Sequence, residues 1–224
     1  MGYDIRRVKS FPQLTLCGLR SLQIRTVIDV GANTGQFARY ISRFFPQAEI
    51  YCIEPLPEPF DELKKWAETQ RGRVSLLNLA IGDHAGTTEM YLHCDHNPSS
   101  SVLASTKVNE SYYPFLKRQT KVPVTVTTLD LALKDTGGLE EAILVKIDVQ
   151  GYEDRVVQGG QEVLRRTKAC ILEINLDTLY QDQADFRGLV SKLYDLGFVY
   201  GGNLEQVHAE DGHVIFLDAV FRKQ

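Results

Sequence analysis

The chain has 224 residues, 43% hydrophobic and 24% charged, with a formal net charge of −4. That balance fits one globular α/β domain, and the absence of a basic excess argues against a nucleic-acid backbone or an anionic membrane surface as partner. The four cysteines are widely spaced without a C-x-x-C pair, no apolar run reaches membrane-spanning length and no signal-peptide core is present, which predicts a reducing, cytoplasmic setting.

Residues 1–25 place Arg6, Arg7 and Lys9 among Ile5, Val8 and Phe11, followed by Leu14, Leu16, Leu19 and Leu22. They read as an N-terminal helical extension packed over the sheet or over a ligand entrance, with the main domain spanning 26–224. The run Val27-Ile28-Asp29-Val30 predicts a strand buried on both faces. The turn Gly31-Ala32-Asn33-Thr34-Gly35 follows. A helix is then expected through Phe37, Ile41, Phe44 and Phe45, stopped by Pro46. The next strand, Ile50 to Ile53, closes on the carboxylate of Glu54, followed by Pro55. In such a βαβ unit the turn and the acid lie at the C-terminal strand edge, where open α/β sheets bind ligands.

Further along, Phe60, Leu63 and Trp66 mark a helix with Trp66 in the core. Val74 to Ile81 reads as the third strand, which sets Asp83 at the ligand edge, either bonding an adenine amino group or serving as a turn residue. Thr87–Leu92 and Lys121–Thr127 read as an additional pair of strands. The polar segment between them, from His93 through Ser101, is expected to be a loop over the site. Its His-Cys-Asp-His run has the residue types of a zinc site but no paired motif elsewhere to complete one. Ala142–Asp148 is the fourth core strand, again ending on a carboxylate, with a sharp turn at Gly151. A helix from Glu153 breaks at Gly159-Gly160. The fifth strand spans Ala169–Ile174, and a last amphipathic helix stops at Gly197. The tail reads as a hairpin of Phe198–Tyr200 and Val214–Phe221, turning at Gly201-Gly202-Asn203 and Asp211-Gly212.

Three glycines in G-x-G-x-x-G mark a dinucleotide turn, but counted from Gly31 the second and third positions are Asn33 and Gln36, and no phosphate-binding Gly-Lys-Ser/Thr follows. A backbone with room for a small zwitterion, and a carboxylate set to accept two ribose hydroxyls, instead fit a phosphate-free nucleoside: S-adenosyl-L-methionine. Candidate cofactor contacts are Asp29, Gly31, Asn33, Thr34, Gly35, Glu54, Pro55, Asp83 and Asp148. An NAD-dependent oxidoreductase and a non-catalytic nucleoside-binding module are the competing readings. An amino-group nucleic-acid methyltransferase lacks its Asn/Asp-Pro-Pro-Tyr motif here.

Asp29-Val-Gly-Ala-Asn-Thr-Gly35, Glu54-Pro55, Asn78-Leu-Ala-Ile-Gly-Asp83 and Lys146-Ile-Asp-Val-Gln-Gly-Tyr-Glu153 together resemble the FkbM-type methyltransferases, from about residue 25 to the C-terminus. The family often has Glu where this chain has Gln150, and the serines at 99–101 are similar to a Ser-rich loop of the family. The resemblance implies a doubly wound, seven-stranded, mostly parallel sheet with an antiparallel last strand. It also implies O-methylation of a hydroxyl, often on a sugar or natural product, so the expected partner is a small-molecule hydroxyl acceptor. Because a neutral alcohol is a poor nucleophile, a base near the acceptor is expected. Asp148 is the first candidate and Glu173 the second, while His96, Ser100, Ser101 and Glu153 are candidate acceptor contacts. Asp148, Glu173 and Asn175 offer oxygens of the kind Mg²⁺ takes, but their spacing departs from metal-dependent O-methyltransferases, so a metal-free site is expected.

Overall fold

The computed structural model describes residues 16–134 and 138–223. In chain order these form β1 (Thr26–Val30), α1 (Gln36–Ile41), β2 (Glu49–Ile53), α2 (Pro57–Glu68), β3 (Val74–Leu77), β4 (Ala80–Gly82), β5 (Gly86–His93), α3 (Lys107–Tyr112), β6 (Gln119–Thr128), α4 (Leu129–Ala132), β7 (Ile143–Ile147), α5 (Glu153–Gly159), α6 (Gln161–Arg166), β8 (Thr167–Asn175), α7 (Phe186–Asp195), β9 (Val199–His208) and β10 (Val214–Arg222). Seven strands make one sheet in the order β3-β2-β1-β7-β8-β10-β9. The first five are mutually parallel, and β10 runs antiparallel between β8 and β9.

Every residue of β1 and β7 is buried, as expected for central parallel strands covered on both faces. One face packs Leu129, Val156, Val163, Leu189 and Leu193 from α4 to α7. The other packs Ala38, Ile41, Leu63 and Trp66 from α1 and α2, each large side chain contributing about 1.5–3 kcal/mol by leaving water. Helix ends follow local chemistry. Pro57 opens α2 with no N–H to lose, Asp185 caps α7 by accepting from the Gly188 N–H at 2.6 Å, and Gly197, at φ 84°, ends it.

Three expectations are corrected. The stretch Val74–Ile81 is two strands in two sheets. The Glu54 N–H takes the Leu77 carbonyl as the last rung of the β2–β3 ladder. Asn78 then donates through Nδ2 to the carbonyl oxygens of Glu54 and Pro55 at 2.8 and 3.1 Å. That clamp ends the pairing, and β4 leaves to join β6 and β5 in a separate three-stranded sheet. Second, Gly201-Gly202-Asn203 is not a turn: β9 runs straight through it, and the ladder to β10 slips register there. Gly202, at φ 134°, brings the backbone close to Cys17, whose Sγ would lie 3.4 Å from an added Cβ, so the glycine makes a bulge where another segment packs. Third, the segment between β5 and β6 is not only loop but holds α3 and two short 3-10 turns, Asn97–Ser99 and Pro114–Lys117.

Of the proposed N-terminal helical extension, residues 1–15 lie outside the described residues. Leu16–Leu22 forms a kinked 3-10 segment with Leu16 and Leu19 buried. Among the described residues no helix is long and apolar enough to cross a membrane.

Candidate functional site

A cavity of about 460 Å³ opens at the C-terminal edge of the sheet, above β1, β2 and β7, a volume suited to a small-molecule ligand. One end is bounded by Gly31, Asn33, Glu54 and Pro55. Its apolar wall is made by Leu79, Ile81, Met90 and the ring of Tyr152. The other end is bounded by Asp148, Lys146, Glu205 and Asp218, with Phe37 and Tyr40 of α1 above them.

The glycine turn is shaped by the protein's own packing. Gly31 sits at φ 81°, and a Cβ there would lie 1.9 Å from the Asp148 carbonyl oxygen. Gly35, at φ 88°, would meet Leu63 Cδ1 at 2.7 Å. Both therefore serve tight crossing of the chain, and the cavity adjoins Gly31 and Asn33 but neither Thr34 nor Gly35. Asn33 is also left-handed, at φ 49°. Its Oδ1 accepts from the Thr34 N–H at 2.8 Å and its Nδ2 donates to Asn97 Oδ1 at 3.2 Å, tying the turn to the loop above the cavity.

Glu54 is buried, and its oxygens accept the N–H groups of Asn33 (2.9 Å) and Leu56 (2.8 Å). Each carboxylate oxygen keeps a second acceptor site. Burial pushes the Glu54 carboxyl up to about 7, against the lowering pull of those two N–H groups. Asp29 lies beneath, wholly buried, with no well-formed hydrogen bond to either oxygen among the described residues, although the Ala38 N–H pulls its carboxyl slightly down. Burial raises its carboxyl to about 6. These residues fit S-adenosylmethionine: a held carboxylate with spare lone pairs for a diol and an apolar wall for a base, while the cation at the turn, Arg39, donates to the Thr34 carbonyl at 3.3 Å and lies outside the cavity lining.

Past β7 the site is built from side chains. Asp148 Oδ2 accepts from Lys146 Nζ at 2.5 Å and Oδ1 from Gln150 Nε2 at 2.8 Å. Gln150, left-handed at φ 58°, also donates through Nε2 to Glu173 Oε1 at 2.7 Å and accepts from the Tyr180 hydroxyl at 2.6 Å. One amide thus bridges two carboxylates. Burial holds the Glu173 carboxyl well above the usual range, with Asp148, Asp218 and Glu153 adding to the rise. Burial alone would lower Lys146, but Asp148, Asp218 and Asp29 outweigh it and raise the ammonium above its ordinary value. The turn's backbone is held not by Asp148 but by buried Glu153, whose Oε1 accepts the N–H groups of Val149 (3.0 Å) and Gly151 (3.1 Å). Glu153, raised to about 7 by burial, lies outside the cavity lining.

The remaining candidates scatter. Ser100 lines the cavity and its Oγ accepts from the His93 N–H at 3.0 Å. Ser101, just behind it, donates to the Gln150 carbonyl at 2.7 Å. His96 bonds Ser99 Oγ through Nδ1 at 2.9 Å and packs against Phe115, away from the lining. Asp83 lies one residue beyond β4 and pairs with His84 and Arg155 outside the cavity, which follows from the departure of β4 into the second sheet. Both histidines and the aspartate of the His-Cys-Asp-His run spend their side chains separately, on Leu116 O, Ser99 and Arg118. No group of three or more His, Cys, Asp or Glu converges as a metal site among the described residues. The sequence reading missed Glu205 and Asp218. A lone aspartate inside the apolar run Val214–Phe221 was the available signal for Asp218.

Residues 29–200 match the model of the methyltransferase FkbM domain. The 2-O-methyltransferase NoeI of Sinorhizobium fredii is 27% identical over 172 residues, covering 75% of this chain and 70% of that protein. The 31-O-demethyl-FK506 methyltransferase FkbM of Streptomyces tacrolimicus is 28% identical, covering 61% and 59%. The hexuronic acid methyltransferase AglP of Haloferax volcanii is 26% identical, covering 66% and 54%. The chain therefore spans little more than half the length of the last two. In fold it is similar to the methyltransferase FkbM from Methylobacillus flagellatus, with a TM-score of 0.54 at 11% identity, covering 89% of this chain and 44% of that one. The sheet order, the turn at β1 and the match over most of the chain agree, and the protein belongs to the FkbM methyltransferase family.

Proposed function

We propose that the protein is an S-adenosylmethionine-dependent O-methyltransferase whose acceptor is a hydroxyl of a sugar or natural-product small molecule. The observation that carries this reading is the single cavity running from the Glu54 carboxylate to Asp148, joined to the family match. The printed names of three relatives, which act on a 2-hydroxyl, a hexuronic acid and a 31-hydroxyl, support the acceptor class.

When bound, S-adenosylmethionine supplies a methyl group already activated on a sulfonium. Glu54 accepts the two ribose hydroxyls on its spare lone pairs, and the Leu79–Ile81–Met90 wall with Tyr152 receives the adenine. The Gly31–Asn33 turn takes the amino-acid end. The Asn97–Pro98 turn and Ser100 close the cavity from above and keep water out. Asp148 takes the proton from the acceptor oxygen, a role in general worth about 10²–10⁴-fold. Lys146 stays charged, so it is not the base; it fixes the Asp148 carboxylate in one orientation. Glu173 acts through Gln150 as a positioning residue. Alignment of the two reactants supplies roughly 7 kcal/mol or more.

The test is transfer of a labelled methyl group from S-adenosylmethionine to a panel of glycosides and polyols. Label in a methyl ether, with S-adenosylhomocysteine released in equal amount, is expected. Binding of NADH without binding of S-adenosylmethionine would overturn the reading in favour of hydride transfer.

A further inference from the structure

The strand register brings four acids into one row. Glu173 of β8 pairs with Asp218 of β10, and Asp218 pairs with Glu205 of β9, so the three side chains share one face of the sheet. Asp148 follows Ile147, the partner of Leu172, and continues the row beside Glu173. Like charges on directly paired strand positions destabilise a sheet, and this row spans three adjacent pairs. One row below on the same face, Lys146 pairs with Asp29 and is already bonded to Asp148.

Of the row, Asp148, Asp218 and Glu205 reach the cavity, where Glu54 is the only other acid and Lys146 the only cation among the described lining residues. S-adenosylmethionine carries one net positive charge, which leaves the chamber negative when it is bound. Hydrogen-bonding capacity on this face is also unspent. Buried Asn175, two residues beyond Glu173, has an Oδ1 with no partner among the described residues, and both oxygens of Asp29 share that condition.

Resting on the methyl-transfer reading, we propose that the three acids of the row that reach the cavity, Asp148, Asp218 and Glu205, form the acceptor subsite, and that it selects uncharged or amino-bearing polyhydroxyl acceptors while rejecting those that carry a carboxylate or phosphate. Carboxylates are acceptor-only groups: they receive the protons of hydroxyls or of an ammonium and repel a second anion. In a partly enclosed chamber that repulsion is only weakly screened. Asp218 and Glu205, remote from the Glu54 end, are the specificity-determining residues.

The test uses the full chain loaded with S-adenosylhomocysteine and three probes: methyl glucoside, glucosamine and glucuronic acid. Binding is read by saturation-transfer NMR and affinity from titration. The neutral and amino sugars are expected to bind at least about tenfold more tightly than the uronic acid. The double variant Asp218→Asn/Glu205→Gln relieves repulsion within the sheet, so it is expected to fold; in it the uronic acid gap narrows to about threefold or less. Equal or tighter binding of glucuronic acid to the unmodified protein, an unchanged gap in the double variant, or binding of no sugar by protein that holds S-adenosylhomocysteine would each overturn the proposal. Failure to bind S-adenosylhomocysteine at all would instead overturn the methyltransferase reading beneath it.

Discussion

Between β1 and β2 the rim of the sheet is held by main chain. The Gly31 turn rests on the Asp148 carbonyl, and the Glu54 carboxylate is clasped by two backbone N–H groups. Between β7 and β9 the rim is held by side chains: a lysine and a glutamine donate to the carboxylates of Asp148 and Glu173, and a tyrosine hydroxyl donates in turn to the glutamine. The first region has few conformations open to it, because each bond is anchored in a strand end. The second is a balance of charges that a single substitution can retune. The contrast fits a division of labour in which an unchanging ligand is met by backbone and a variable one by side chains.

Substitutions sharpen or break that contrast. Asp148→Asn removes the proposed base, and kcat for methyl transfer should fall roughly 10²–10⁴-fold, with a much smaller change in S-adenosylmethionine affinity measured by calorimetry. A loss confined to affinity would assign Asp148 to the main-chain half instead. Gly31→Ala forces a Cβ into the Asp148 carbonyl at a left-handed φ, and should cost about 3 kcal/mol or more in chemical denaturation. A well-folded, stable alanine variant would show that the turn is softer than its geometry implies. Glu54→Ala should weaken S-adenosylmethionine binding about 30-fold, as loss of two charge-assisted hydrogen bonds; an unchanged Kd would remove Glu54 from the ligand.

Gln150→Glu exchanges a donor shared by Asp148 and Glu173 for a further acid. It should cost about 1–3 kcal/mol of stability at pH 8 and less at pH 5, where protonation restores one donor. A change that needs no substitution is that of pH on the cofactor-free protein. Burial raises Glu54 and Glu153 to about 7 from an ordinary value near 4.5. Their folded-state preference for the neutral form therefore stabilises the fold fully below about pH 4.5 and is lost as pH rises through about 7. Unfolding free energy should drop by a few kcal/mol between pH 5 and pH 8, with about 5 kcal/mol as the upper bound for the two groups together. Ionisation of Glu54 over the same range should tighten S-adenosylmethionine binding, a trend Glu54→Gln abolishes.

The main-chain half was legible in the sequence because its parts are contiguous: Asp29 to Gly35, then Glu54 at the next strand end. Even there, the glycines were read as room for a ligand, whereas their would-be Cβ atoms collide with the protein itself. The side-chain half was legible only at Asp148 and Glu173. Asp218 and Glu205 join them through antiparallel pairings, and register across a sheet leaves no mark in local spacing. Asp83 was misplaced because an eight-residue apolar run gives no sign that Asn78 divides it by clamping two carbonyls. Glu153 was read as an acceptor contact because hydrophobic periodicity does not reveal that its carboxylate folds back onto the preceding turn.

The most direct measurement is a crystal structure of the protein with S-adenosylhomocysteine. The account predicts both ribose hydroxyls within hydrogen-bond distance of the Glu54 carboxylate, and the sulfur facing Asp148 across an open gap. A ribose seated elsewhere, or a sulfur turned away from Asp148, would contradict it.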